Sequence, residues 1–346
     1  MGRLSGIQYL RAIAAMAVVV FHVSERIGAP FMAGAAGVDI FFVVSGFIMW
    51  VTTAERASTP RSFAANRAIR IIPLYWAVTL GYVALATVAP WSFPNLLLSS
   101  GHVASSLLFI PHRDPSGVPL PVVQAGWTLE FEVLFYALFA IALAAPHPAR
   151  LGALSATLCA LPAIGLLTPA GGPVWIVLTS PLLLEFLGGV WLGHGFLWAK
   201  RDGIRPPWRL GAAIVAGAVP ILLLVTSWMG PFTDAARVLA WGVPAVLITG
   251  GVLAIELAGR MPASRTALRL GDASYAIYLT HGVVIAAVLR LGGQVGLPDM
   301  VLVPGAVAAS ALAGVVTHQV FELPVTRALK RSLRSSQSRR SCSRPL

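Results

Sequence analysis

The chain has 346 residues, 57% of them hydrophobic and only 11% charged, with a mean hydropathy of +0.80. Soluble domains carry about 25% charged residues, so these values exclude a soluble globular protein and indicate many membrane spans. The net charge of +12 does not point to nucleic acid, because the basic residues sit in short loops between apolar runs and in the last stretch of the chain.

The first apolar segment, 7–27, carries Arg11 and His22. Ionisable groups at membrane depth are costly, hence rare and usually functional. Eleven residues is close to three helical turns, so both side chains share a face and stand roughly 16 Å apart along the axis. One helix thus presents a fixed cation near one end and a titratable imidazole near the other. The competing readings are snorkelling of Arg11 to a headgroup and packing of His22 in the interior. No small-x-small cleavage site follows this run before the next apolar segment, so it reads as a span and not as a signal peptide.

The second segment, 36–54, holds Gly37-Val38-Asp39-Ile40-Phe41-Phe42-Val43-Val44-Ser45-Gly46-Phe47, whose Gly and Ser let helices approach closely. Ser45 has no base marked beside it and reads as packing. The third, 71–90, follows Arg67 and Arg70, which share a helix face at their spacing of three. Paired planar guanidiniums suit phosphate; plain positive-inside flanking is the competing reading. The run 96–110 is short and carries four serines and His102, as interfacial or re-entrant segments do. Further segments fall near 127–145, 151–167, 174–198, 210–229, 235–258, 273–290 and 300–322.

Charge decides whether 96–110 crosses. If it does, the 200–209 basic cluster lies opposite the 56–70 cluster. If it does not, 20 Lys and Arg lie on one side against 4 on the other, with Arg11 inside the first span. The positive-inside rule therefore predicts an all-α protein of ten spans with both termini cytoplasmic. Residues 91–126 become a long, proline-rich outer loop. The membrane domain is expected over 1–326, and 327–346 as a basic, disordered cytoplasmic tail in contact with anionic lipid. Cys159 and Cys342 offer neither a disulfide framework nor metal spacing, and no metal site is predicted.

This topology sorts the polar residues by depth. Arg11, Arg67, Arg70 and Glu322 fall near the cytoplasmic face, His22, Asp39, Glu130 and Glu132 near the outer face, and Glu185 and His281 mid-span. A cationic inner mouth and a His/carboxylate outer mouth suit a reaction that takes an anionic donor from the cytoplasm and serves an acceptor outside. His22 is the best general base. It needs a carboxylate to hold its tautomer, and Glu132 is assigned that part. His102, His112, His147 and His194 read as structural. Ten spans with buried charges also fit a transporter of an acylated glycan or an anion.

Six blocks in order now make the chain familiar. Arg11, ten residues, then His22 is the first, and 37–47 the second. Arg67, Arg70, Ile71 and Pro73 form the third; Trp127, Thr128, Leu129, Glu132, Phe135 and Tyr136 the fourth. Ser274, Tyr275, Tyr278, Leu279 and His281 form the fifth, and Glu322 with Pro324 the last, where Leu323 replaces the Arg often found between them. The chain resembles the acyltransferase-3 family of integral membrane acyltransferases from about residue 5 to about 326, and within it the exopolysaccharide-acetylating (succinoglycan-type) members. The resemblance implies an O-acetyltransferase of the bacterial inner membrane. It uses acetyl-CoA or another acyl-CoA as co-substrate, with no permanently bound cofactor. The acceptor would be a hydroxyl of an exopolysaccharide; peptidoglycan, a lipid-linked sugar or a small glycosylated molecule remains open. Its partners are acyl-CoA, glycan, the bilayer and proteins of polysaccharide assembly. It implies His22 and Glu132 as catalytic, Arg11, Arg67 and Arg70 as phosphate-holding, and Asp39, Trp127, Tyr275, His281 and Glu322 as support. Direct transfer and an acyl-histidine relay both stay open. Many relatives carry an extracytoplasmic hydrolase-like domain that this sequence lacks, so the membrane domain is expected to act alone or with a partner.

Overall fold

The computed structural model describes residues 4–54, 58–93, 96–168, 171–228 and 233–342. Ten helical stretches among them are long and apolar enough to cross a bilayer, and the described residues contain no strand. The protein is a multi-pass, all-α membrane protein. Its helices are α1 (Ser5–Arg26), α2 (Gly37–Ala54), α3 (Pro60–Val88), α4 (Ser100–Leu107), α5 (Trp127–Ala142), α6 (His147–Leu167), α7 (Pro173–Leu178), α8 (Leu183–Arg201), α9 (Trp208–Trp228), α10 (Asp234–Arg237), α11 (Val243–Leu257), α12 (Arg265–Gln294), α13 (Asp299–Thr317) and α14 (Leu323–Cys342). The segments α7–α8, α10–α11 and α13–α14 each act as one span. Short π-helical turns, Val238–Gly242 and His318–Glu322, interrupt the last two.

The run 96–110 does not cross. Its only helix, α4, has 8 residues, a rise of about 12 Å against a hydrocarbon core about 30 Å thick. The helix α14 runs past residue 326 to Cys342. A helix already nucleated at the packed end of a span extends at little further cost.

Local sequence explains where the helices start and how they meet. Thr59 and Ser62 form a reciprocal capping box at the head of α3, with Pro60 in the first turn. The amides of Ser5 and Gly6 donate to Glu256 at 3.2 and 2.6 Å, so a carboxylate from the end of α11 satisfies the bare head of α1. Glycines set the closest crossings. A Cβ on Gly46 would strike the Phe186 carbonyl oxygen, and one on Gly189 the Val43 carbonyl oxygen, so α2 and α8 pack backbone to backbone. Gly271 likewise brings α12 against the Gln8 carbonyl of α1.

The buried charge in the first turn of α2 has a partner 198 residues away. Asp39, fully buried, accepts a fork from Arg237, Nε to Oδ1 at 3.1 Å and Nη2 to Oδ2 at 2.9 Å. The Trp127 and Trp241 rings flank the guanidinium carbon at 5.4 and 5.2 Å. Asp39 and Trp127, grouped by sequence as support for substrate or structure, thus serve one interhelical ion pair. Replacing Arg237 by Gln leaves the carboxylate buried and uncompensated, an expected loss of about 3–5 kcal/mol. It is checked by thermal unfolding in detergent, where the Asp39→Asn/Arg237→Gln double variant should recover much of the loss.

Candidate active site

Two cavities lie along α1, one at each end of the Arg11–His22 face. The inner cavity is lined by Arg11, Arg67, Arg70, Ser45, Glu132 and Tyr275 among others. α1, α2, α3, α5 and α12 supply these residues, so the first four spans of the chain and one from its last third converge here.

Its three arginines are not equivalent. Arg70 forms an ion pair with Glu322, whose other oxygen meets His318 Nδ1 at 2.8 Å. Glu322 is buried at the wide π turn that links α13 to α14, a geometry frequent at functional sites. The Arg70 guanidinium also lies 5.3 Å from the Tyr275 ring centre, and Tyr275 donates its hydroxyl to the Ile71 carbonyl at 2.8 Å beside Pro73. Arg11 donates to Ser274 Oγ at 2.8 Å and to Gln8 Oε1 at 3.5 Å. Arg67 forms no ion pair among the described residues, and its Nε is buried without a hydrogen-bond partner. It is held only by the Phe63 and Tyr136 rings, at 5.9 and 6.0 Å. A cation with an unspent donor on a cavity wall is a ready anion site.

Glu132 sits in the same cavity. It accepts from Ser45 Oγ at 3.1 Å and from the Tyr136 hydroxyl. The expected pairing of Glu132 with His22 is therefore wrong. Glu132 lies more than one turn into α5, and Tyr136, four residues on, holds it facing α2. Ser45, which sequence assigned to packing, carries a carboxylate neighbour that no local motif announced.

The outer cavity is built from α1, α12, Tyr82 of α3 and the connection between α3 and α5. His22 and His281 stack here with centroids 5.1 Å apart. His281 is buried and its Nδ1 lies 2.6 Å from the Tyr278 carbonyl oxygen. That oxygen accepts only, so Nδ1 carries the proton and Nε2 is left as an acceptor. His22 Nδ1 lies 3.2 Å from Glu25 Oε2. Glu25, three residues on and on the same helix face, is the carboxylate that holds the His22 tautomer and leaves Nε2 basic. The His22-x-x-Glu25 spacing lies inside the 7–27 segment and was legible in the sequence.

His102 also lines this cavity, although sequence made it structural. Its Nδ1 meets His112 Nε2 at 2.7 Å, while His112 Nδ1 donates to the Ile110 carbonyl at 2.8 Å. His112 thus accepts at Nε2, and His102 donates from Nδ1. α4 is fastened to the strand of chain before α5 by Ser106, which donates to the His102 carbonyl and accepts from the Val122 amide at 3.0 Å.

The two cavities share no lining residue. Along α12 the lining changes from Tyr278, on the inner side, to Leu279 and His281, on the outer. The Tyr278 and Thr128 hydroxyls meet at 2.9 Å across this boundary, and the Phe41 ring stands edge-on to Tyr278 at 5.8 Å.

Residues 4–319 match the Acyl_transf_3 family, described as an acyltransferase domain. The chain is 41% identical to the exopolysaccharide production protein ExoZ of Rhizobium meliloti over 89% of this chain and 95% of that protein. It is 28% identical to the acyltransferase MdmB of Streptomyces mycarofaciens over 95% and 93%. A putative peptidoglycan O-acetyltransferase, YrhL of Bacillus subtilis, is 27% identical over 81% of this chain and 48% of its own. No solved structure matches the chain. The chain belongs to the acyltransferase-3 family, and the transport reading of the polar core gives way to the enzymatic one.

Burial first, and then the neighbouring His112, holds the His102 imidazolium below its ordinary value of 6.5. A His whose pKa is depressed in the folded state binds its proton better in the unfolded chain, so protonation opposes folding. The penalty is absent above pH 6.5 and accrues as pH falls toward the lower folded value. Hydrogen-exchange protection factors over 99–122, corrected for the intrinsic pH dependence of exchange, are therefore expected to fall below about pH 6.5, and a His102→Gln variant should lose that pH dependence.

Proposed function

We propose that this family member transfers an acetyl group from cytoplasmic acetyl-CoA to a hydroxyl of an exopolysaccharide on the outer side of the bacterial inner membrane. The observation that carries the reading is the division of labour along α1. Arg11 faces a cavity with an unpaired guanidinium, and His22 faces a second cavity with a carboxylate-held imidazole. The excess of Lys and Arg at the inner ends supports a cytoplasmic inner cavity. The name of the exopolysaccharide production protein with 41% identity supports an exopolysaccharide acceptor, and the name of YrhL supports acetyl as the group moved.

In this reading Arg67 is the principal phosphate ligand of the donor. Arg11 adds charge, and Arg70, already neutralised by Glu322, shapes the wall more than it binds. The pantetheine arm runs up the inner cavity and puts the thioester at its outer end. An acceptor hydroxyl in the outer cavity gives its proton to His22 Nε2 as its oxygen attacks the thioester carbonyl carbon. The tetrahedral intermediate collapses, the C–S bond breaks, and CoA leaves as thiolate, to be protonated in the cytoplasm. Glu25 holds the imidazolium that forms. His281, stacked on His22, restricts the ring to one orientation.

The test is acetyl-CoA turnover by protein in nanodiscs with the bacterium's exopolysaccharide supplied, read as free CoA and as acetylated glycan. His22→Ala is expected to lower turnover by about 100-fold or more, the contribution of a positioned base, with CoA binding retained. Arg67→Gln is expected to raise KM for acetyl-CoA by about tenfold or more, the worth of a charge-assisted hydrogen bond, with kcat little changed. Full activity in His22→Ala would contradict the assignment of the base, and an unchanged KM in Arg67→Gln that of the phosphate ligand.

A further inference from the structure

The boundary between the cavities has a chemical consequence. A donor anchored by its phosphates at the inner end presents its groups in a fixed order: phosphates, pantetheine, thioester, acyl chain. The acyl chain is the last atom group and meets the far wall. That wall is the Tyr278–Thr128 hydroxyl bridge, with the Phe41 ring edge-on beside it in the same lining. Both bridge residues are buried, at 7% and 6% exposure; Thr128 Oγ1 donates to the Ala125 carbonyl at 3.1 Å and accepts from the Tyr278 hydroxyl, which loses its partner if the bridge parts.

Tyr278 also ties this wall to the base. Its side chain closes the inner cavity, and its carbonyl accepts from His281, whose ring stacks on His22. The ring centres of Tyr278 and His281 are 5.8 Å apart. The passage from donor to base therefore runs beside Tyr278, and its width is set by one phenol ring, one threonine and one phenylalanine.

We propose that Tyr278 and Thr128 form the specificity wall of the donor cavity and restrict transfer to short acyl groups. An acetyl carbonyl reaches the boundary with one methyl beyond it, while each further methylene has to displace the bridge or the Phe41 ring. The inference rests on the donor reading given above. Tyr278 and Thr128 act by shape, since the reacting proton goes to His22.

The experiment is competition between acetyl-CoA and hexanoyl-CoA for wild type, Thr128→Ala and Tyr278→Val, all in nanodiscs. The acylated glycan is read by mass spectrometry, and the Kd of CoA itself is measured on the same preparations. Wild type is expected to favour acetyl, and each variant to shift the product ratio toward hexanoyl by about tenfold or more, the scale set by methylenes in an apolar pocket. CoA should bind all three proteins alike. Thr128→Ala keeps the phenol ring and its packing, so it reports even if Tyr278→Val does not fold. An unchanged product ratio with CoA binding intact would overturn the specificity wall and leave the donor reading standing. Failure of wild type to bind CoA would overturn the donor reading, and the wall with it.

Discussion

The constraint on which this structure depends is that charge inside a bilayer has to be paired or kept wet. Asp39 and Arg237 answer it by pairing across 198 residues, with two indole rings as the walls of the pair. Arg70 and Glu322 answer it the same way at the opposite end of the bundle. Arg67 does not pair, and it lies on a cavity. The location of the one arginine without a carboxylate among these three separates what holds the bundle together from what meets a ligand.

Both ion pairs stand next to a π-helical turn. Arg237 immediately precedes 238–242, and Glu322 closes 318–322. A wide turn adds a residue to the helix without breaking it and rotates the side chains that follow. The same device thus aims a charged group inward on two spans. α1 needs no such turn, because eleven residues return a straight helix to nearly the same face. It carries Arg11 at one cavity and His22 at the other, and α12 and α2 are seated directly against it, through Gly271 on the Gln8 carbonyl and Gly37 on the Ala14 carbonyl. The reacting groups are therefore held on helices and not on loops, and only the outer cavity borrows its wall from a long connection.

Much of this was legible in the chain. Hydropathy located the spans, and the asymmetry of Lys and Arg correctly refused 96–110 as a span, because that property is local and counted residue by residue. The Arg11–His22 face followed from helical periodicity alone. Depth was harder. Glu132 and His22 were placed together because both lie near the outer ends of their spans, yet about one turn of α5 and the pull of Tyr136 carry Glu132 to the inner cavity. The role of Arg70 depends on Glu322, and that of Asp39 on Arg237. Contacts between helices separated by about two hundred residues follow from packing, which no local pattern encodes. The Tyr278–Thr128 boundary is of the same kind.

The central claim is that donor and acceptor are used from opposite sides of the membrane. The direct measurement places protein of one known orientation in sealed vesicles, with exopolysaccharide in the compartment of the outer cavity and labelled acetyl-CoA in that of Arg67. The account predicts label in the glycan across the intact bilayer, and none when acetyl-CoA is supplied only on the glycan's side. Labelling only when donor and acceptor share a compartment would contradict it.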